Sequence, residues 1–464
     1  MLLQIAPELE KSAPGELKSQ RLPFLKHVIT IGDTRKPGSI TFDDLMTLAI
    51  AEDHATMNSV SAKTRFDQDA FIQFSSGTTG QPKPARLSHF NVVNNANIVG
   101  RFVGYHKQRE IFCLNGQLIY GFGRTLGVLT ATMFGSTVVL PGPFFEPKST
   151  MEAITKHRMD CCIVAGRAKT EETARFSSFY LKSVSTASCV NFMTVLLADI
   201  LGYTRPYNEF EKDSIGLDQL EMCANGVKTI VSGALCNPEV VEKARTRLNT
   251  QALYIMYGAT ETSPIFCSTN PDEPTDLWIR TVGTPLDHVE VKVVDTEGRI
   301  VPVNTRGELC TRGPHVFKGY LNDDAKTKEA LRENWYHTGD EATMSEDGRI
   351  TFSGRIKEMI NIGSFKVPPL EVESVLNTHP DVEEAQVIGV PDERLGNKIC
   401  VWIKLQPYKT LSHEDIKTFC KGKIHDYKIP EYVLFVDSFP RTLTGKVQKH
   451  KMREESVRLL NLSR

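Results

Sequence analysis

An α/β body followed by a smaller α+β segment is what this 464-residue sequence predicts, on three observations. Short apolar runs (TVVL, CCIVA, TIVSG, LYIMY) recur with gaps long enough to hold helices, the rhythm of buried strands in a parallel sheet. From VEVKVVD at residue 289 the pattern changes to alternating strands punctuated by tight turns at TEG, TRGE and EDGR. After SEDGRITFSGR, a last stretch of about 110 residues carries helix and strand signals of its own. The length also exceeds the roughly 250–300 residues at which single cores stop growing, so at least two domains are expected.

Taken in order, residues 1–40 are rich in Pro, Gly and charge and predict an irregular lead-in. DDLMTLAIAEDHA at 43–55 has helical spacing and an acidic start, which predicts one helix. FIQFS at 71–75 reads as a strand that enters a glycine- and threonine-rich loop. A domain joint is expected near 354–357, giving a large part of 1–354, β-rich over about 285–354, and a C-terminal domain of 355–464. In the latter, LEVESVLNTH and HEDIKTFCKGKI predict helices, AQVIGV and KICVWIKL strands. No repeat with a period of 20–50 residues is visible.

The 55 basic and 56 acidic residues nearly cancel, so no global field steers the chain to nucleic acid or anionic lipid. Lys421, Lys423 and Lys428 read as a solvated face. Ten cysteines fall irregularly, without CxxC or zinc-type spacing, as thiols of a reducing compartment do; Cys161 and Cys162 read as core. The N-terminus has early acidic residues and no sustained apolar stretch, so neither a secretory signal nor a transit peptide is read there. No window is apolar for long enough to cross a bilayer, and the expected location is intracellular, cytoplasmic by default.

Four segments carry candidate chemistry. Ser75-Ser76-Gly77-Thr78-Thr79-Gly80-Gln81-Pro82-Lys83 puts converging N–H groups, hydroxyls and a lysine directly after a strand, suited to polyphosphate; a plain turn is the alternative. Tyr257-Gly258-Ala259-Thr260-Glu261-Thr262 follows an apolar strand, and its carboxylate and hydroxyls suit phosphate-bound Mg2+. The competing reading is a helix cap by Thr260 or Thr262. In Trp335-Tyr336-His337-Thr338-Gly339-Asp340 an aspartate beside a glycine turn can accept vicinal hydroxyls, or simply cap the turn. His337 lacks a specified partner and reads as supporting or surface, not as a general base. Gly354-Arg355-Ile356-Lys357-Glu358 and Pro440-Arg441-Thr442-Leu443-Thr444-Gly445-Lys446 place basic residues where a closing domain could bring them to an anionic centre; alone, Lys446 reads as a surface lysine.

Jointly these segments resemble the adenylate-forming superfamily of acyl-CoA synthetases, luciferases and peptide-synthetase adenylation domains, most of all its medium-chain acyl-CoA synthetase branch. SSGTTGQPKPARLSH, YGATETSP, TVGTPL, GELCTRGPHVFKGYLND, WYHTGDEA, GRIKEMI, GVPDERLG and PRTLTGKVQK stand in the family's order, from about residue 30 to the end. The resemblance implies a large multi-subdomain adenylation domain and a small mobile C-terminal lid. It also implies an ATP-dependent acid:CoA ligase, in which a fatty or related acid and MgATP give acyl-AMP and pyrophosphate, and coenzyme A then releases AMP. By the same resemblance Ser76, Gly77, Thr78, Thr79, Gly80 and Lys83 hold phosphates; Glu261, beside Thr260, contacts Mg2+; Gly233, Ala234 and Tyr257 line the adenine slot; and Asp340 and Arg355 bind ribose. Lys446 bridges the carboxylate and α-phosphate, and Lys357 falls at the hinge of the lid.

Four departures accompany it. Only 74 residues precede the glycine loop, from which a first subdomain incomplete at its N-terminus is expected, with sheet edges to be covered by pairing in a homo- or hetero-oligomer. Pro84 replaces a glycine and removes a donor. Gly363-Ser364-Phe365-Lys366-Val367-Pro368-Pro369 replaces the family's GGENIYP-like segment. NGQLIYGFGRTLG and VAGRAKTEE, with Arg124 and Arg167, replace the usual acyl-pocket sequences. They leave open an adenylate-forming enzyme without CoA transfer and a weakened homologue acting as a binding partner.

Overall fold

Local capping decides the first helices. Thr41 Oγ1 accepts the Asp44 N–H at 3.1 Å and starts the helix Phe42–Thr47, while the Asp53 carboxylate takes the Ile50 N–H at 3.0 Å and starts a second, Ala51–Lys63. The single helix expected over 43–55 is therefore two, because a second cap outweighs continuous periodicity. The computed structural model describes residues 2–32, 36–75, 83–114, 118, 120–142, 147–157, 161–165, 227–232, 250–274, 277, 281–363, 365–441 and 447–462. They form two compact units, Met1–Gln68 and Asp69–Arg464. The first has a small core of Ala6, Leu9 and Leu17 and a parallel pair, Ile29–Thr30 with Ile40–Thr41.

In the second unit the apolar runs form a seven-stranded sheet, ordered Thr284–Pro285, Cys267–Ser268, Thr250–Tyr257, Val227–Ser232, Cys161–Ala165, Ile111–Leu114, Thr137–Val139. The last five named are mutually parallel; Cys267–Ser268 runs antiparallel to Thr250–Tyr257, and Thr284–Pro285 runs antiparallel to Cys267–Ser268. The helix His89–Phe102 starts on a reciprocal cap between Ser88 and Asn91 and packs Ile98 and Val99 into a core with Phe112, Leu126, Tyr254 and Met256. Its buried asparagines act as braces. Asn91 Nδ2 donates to the carbonyls of Pro314 and Val316 at 2.8 Å, and Asn95 Nδ2 to that of Ile265 at 2.5 Å.

The β-rich stretch is an antiparallel sheet in the order Glu290–Val294, Gly307–Arg312, Trp335–Met344, Leu331–Arg332, with Ile350–Arg355 also paired to Trp335–Met344. A third sheet, Gly319–Tyr320, Lys83–Ser88, Asp69–Ser75, holds the two anchors of the glycine loop, Ser75 and Lys83, opposite one another. Pro84 is accommodated there: it lies opposite Phe74, and its carbonyl accepts the Leu321 N–H at 2.8 Å.

At the C-terminus, Val382–Asp392 pairs antiparallel with Gly396–Leu405, which pairs parallel with Tyr432–Phe435. Strand alternation sends Val387, Val401 and Ile403 into a core with Val372, Leu376 and Ile416, and Ile388, Val390 and Trp402 into another with Met452. The architecture is thus a large α/β part with a smaller C-terminal α+β domain. No helix among the described residues is long and apolar enough to cross a membrane. Cys267, Cys310, Cys400 and Cys420 are buried free thiols and Cys113 is buried; Cys161 and Cys162 lie in a strand, and their side chains are outside the described residues.

His315 records how dry this interior is. Thr311 donates its hydroxyl to the Glu290 carbonyl and so accepts from His315 Nε2 at 3.0 Å, while the ring stacks on Phe266 and Nδ1 has no partner among the described residues. Burial pushes the His315 pKa down from 6.5 to about 4. Between these values the unfolded chain takes up a proton that the folded chain refuses, so stability is full above about pH 6.5 and falls as pH drops toward 4. At about 1.4 kcal/mol per pKa unit the loss is about 3 kcal/mol. Urea titrations of the wild type and His315→Gln should diverge over that window, the variant having the flatter dependence.

Candidate active site

The strand Thr250–Tyr257 ends in a turn whose backbone leaves no room for a side chain. A Cβ on Gly258 would lie 1.9 Å from the Pro264 carbonyl oxygen, and the Thr262 hydroxyl accepts the Ala259 N–H at 2.8 Å. This tight return carries Thr260 and Glu261 in a 3-10 turn at the C-terminal edge of the parallel strands, where open α/β sheets present ligand-binding groups. The Glu261 carboxylate is buried, and its Oε1 accepts the Tyr320 hydroxyl at 2.9 Å. Lys83 Nζ stands 5.3 Å from the centre of the Tyr320 ring. Lys83, Tyr320 and Glu261 therefore form one group drawn from three segments.

Tyr257 belongs to a second group. Its hydroxyl donates to Asp340 Oδ2, and Arg355 Nε binds Asp340 Oδ1 at 2.8 Å across the pairing of Trp335–Met344 with Ile350–Arg355. The Tyr257 ring is fixed edge-on to Phe266 and tilted against Phe352. Burial, reinforced by the Asp340 charge, pushes the Tyr257 pKa well above its usual value, so the phenol is a neutral donor. The Asp340 charge raises that of Arg355, against the opposing effect of burial. Asp340 itself is 5% exposed, whereas the Arg355 side chain is 44% exposed and can still meet a ligand.

Of the residues singled out in the sequence, Lys83, Tyr257, Thr260, Glu261, Asp340 and Arg355 fall into these two groups, joined by the four-residue step from Tyr257 to Glu261. Lys357 stands apart and exposed, 3.5 Å from Glu329. Ser76, Gly77, Thr78, Thr79, Gly80, Gly233, Ala234, Lys446 and Arg167 lie outside the described residues. Arg124 is half-buried on the Phe71 ring with its guanidinium on the Gln73 amide oxygen at 2.5 Å, and burial lowers its pKa. Sequence reasoning missed Tyr320, although it stands in the quoted GELCTRGPHVFKGYLND motif, and it missed the carboxylate that supports His337: Glu308 Oε2 lies 2.8 Å from His337 Nδ1.

The AMP-binding enzyme profile matches residues 14–321 and the AMP-binding enzyme C-terminal domain profile residues 371–446. The chain belongs to the AMP-binding enzyme family. It is 37% identical to the mitochondrial medium-chain acyl-CoA ligase ACSF2 of Danio rerio over 465 aligned residues, which take in 100% of this chain and 70% of the relative. It is 34% identical to the putative acyl-CoA synthetase YngI of Bacillus subtilis, over 99% of this chain and 76% of the relative. Its fold matches the O-succinylbenzoate coenzyme A synthetase of Bacillus subtilis in complex with ATP and magnesium ion with a TM-score of 0.70 at 22% identity, covering 89% of this chain and 74% of that one.

The protein is accordingly an enzyme of the adenylate-forming ligase class, which activates an acid through an acyl-adenylate. Replacement of Gly258 by Ala should leave the C-terminal domain folded but disrupt the turn that carries Glu261. The expected result is a lowered first melting transition together with loss of ATP binding in calorimetry.

Proposed function

We propose that this enzyme is an ATP-dependent fatty acid:CoA ligase. The acid's carboxylate oxygen attacks the α-phosphorus of ATP as the bond to pyrophosphate breaks. The thiolate of coenzyme A then attacks the acyl carbonyl, and AMP leaves. The observation that carries the reading is the junction of Tyr257, Asp340 and Arg355 four residues from the buried Glu261. Asp340, oriented by the Tyr257 hydroxyl and ion-paired with Arg355, is suited to accept vicinal hydroxyls of a ribose, and Arg355 can lean over the same sugar.

Glu261 supplies a hard carboxylate oxygen, oriented by the Tyr320 hydroxyl, that suits Mg2+ bound to phosphate, and Lys83, beside the Tyr320 ring, adds positive charge. When bound, the ion neutralises charge on the polyphosphate. The loop Ser76–Gly80, including Thr79, would close over the β- and γ-phosphates, and Gly233 and Ala234 would line the adenine slot beside Tyr257. Lys446 would bridge the carboxylate and α-phosphate. Lys357 would be the hinge for a lid rotation that admits coenzyme A. A fatty acid is favoured as substrate by the 37% identity, along the whole chain, to a protein named as a medium-chain acyl-CoA ligase.

Coenzyme A as acceptor is supported by an exposed aromatic pair in the C-terminal domain. Phe365 and Tyr427 stack at 4.4 Å between centroids, with Lys428 Nζ 5.5 Å from the Tyr427 ring and His425 stacked beside it. The half-exposed aromatic pair offers ring surface suited to stack on a purine, beside a Lys428 ammonium that Glu371 holds in place.

Pyrophosphate release should depend on MgATP and on one chain-length class in a panel of fatty acids, with acyl-CoA formed when coenzyme A is added. Lys446→Ala should abolish acid-dependent release. Release without acyl-CoA would reassign the enzyme to adenylation alone. Tyr427→Ala should raise the KM for coenzyme A about tenfold, from the loss of one stacking contact, while leaving pyrophosphate release unchanged.

A further inference from the structure

Asp340 is delivered to the site by an irregularity in its strand. Where Gly307–Arg312 pairs with Trp335–Met344, Glu308 faces Glu341 and Cys310 faces His337. Leu309 alone therefore spans Thr338, Gly339 and Asp340, a bulge in which Gly339 takes φ +70°. A bulge re-aims a side chain at the cost of ladder hydrogen bonds, and the released groups need partners.

Those partners are side chains. The Thr338 hydroxyl donates to the Leu309 carbonyl at 2.7 Å and accepts the Asp340 N–H at 3.1 Å. Glu308 Oε1 accepts the Gly339 N–H at 3.1 Å, and its Oε2 meets His337 Nδ1 at 2.8 Å. One carboxylate thus holds both residues that flank Thr338, immediately before Asp340. Burial works to raise the Glu308 pKa, but the His337 contact and the Gly339 N–H outweigh it and leave the carboxylate below its usual value.

Glu308, Cys310 and His337 also gather three metal-ligating atoms within 4.8 Å of one another. The 2.8 Å separation of Nδ1 and Oε2 is nevertheless shorter than the ~3.3 Å edge of a tetrahedral zinc site with bonds near 2.0 Å. The imidazole, thiol and carboxylate already satisfy one another. The trio is a brace, and its load is the bulge.

We propose that Glu308 is a positioning residue of the nucleotide site, fixing the Thr338–Asp340 bulge so that Asp340 meets the ribose hydroxyls in one geometry. This rests on the reading of Asp340 as the ribose acceptor. His337 is the other half of the brace, which accounts for a histidine beside the site with no proton-transfer role.

The test compares kcat/KM for ATP with that for 2′-deoxy- and 3′-deoxy-ATP in the wild type, Asp340→Ala, Glu308→Ala and Glu308→Gln, with thermal melts to establish folding. Asp340→Ala should abolish the preference for the ribose hydroxyls. Glu308→Ala should raise the KM for ATP ~10-fold, with kcat changed less, and should erode the same preference, as expected for loss of a charge-assisted hydrogen bond. Glu308→Gln keeps an acceptor for the Gly339 N–H and should recover most of it. Should Glu308→Ala fail to fold, Glu308→Asp, which keeps the charge but is one methylene short, takes its place with the same expectation. A folded Glu308→Ala or Glu308→Asp with full ribose discrimination, beside an Asp340→Ala that has lost it, overturns the inference alone. Unchanged discrimination in Asp340→Ala removes the ribose reading and this inference with it.

Discussion

The contact on which the site depends is the one Asp340 makes with Tyr257 and Arg355. Tyr257 ends a strand of the parallel sheet, whereas Asp340 and Arg355 face each other in the antiparallel one, so a single carboxylate ties two sheets together. An isolated buried carboxylate would be costly to desolvate, and the contact persists because a hydroxyl reaches it from one side and a guanidinium charge from the other. The phenol stays neutral and the guanidinium charged, so the donors keep their character across the physiological range. Three motifs far apart in the chain thereby become one surface, with Glu261 four residues from its centre.

Polar braces hold the rest in register. Asn95 grips the backbone at Ile265, just beyond the Glu261 turn, and Asn91 grips the segment that leads to Tyr320. Apolar packing alone tolerates small slides, whereas a buried amide on a carbonyl has one good geometry. The helix His89–Phe102 thus does more than cover the sheet: its buried asparagines set the distance between Glu261 and the phenol that orients it.

Much of this was legible in the sequence, for definable reasons. Tyr257, Glu261, Asp340 and Arg355 sit in short segments whose glycines and strand boundaries announce a backbone built for a side chain, and periodicity marked the strands that carry them. Tyr320 and Glu308 were not legible, because their roles arise from partners 59 and 31 residues away, and spacing carries information only within an element. Capping likewise divided the expected helix over 43–55 through a side chain that amphipathic spacing does not weigh. Pro84 read as a lost donor; its carbonyl is what the neighbouring Leu321 uses, and no one-dimensional pattern tells which side of a strand is paired.

The same distinction between exposed and buried partners bears on the joint between the domains. Arg355 is bound into the large part through Asp340, whereas Glu358, three residues on, faces Lys449 at 3.7 Å, and Lys449 is also bound to Glu373 at 2.7 Å. Burial would lower the Lys449 pKa, but the two carboxylates outweigh it and raise it, so the network is charged and expensive to break. Between them Lys357 and its partner Glu329 are 76% and 62% exposed, a pair worth about 0–1 kcal/mol. A backbone rotation placed between Arg355 and Glu358, where the proposed hinge lies, would leave both networks intact and, of these three ion-pair groups, give up the exposed one. Under the proposed hinge at Lys357, the ion pairs of Asp340 and Lys449 would stay whole, whereas a turn a few residues to either side would have to pull Asp340 or Lys449 away from its partner.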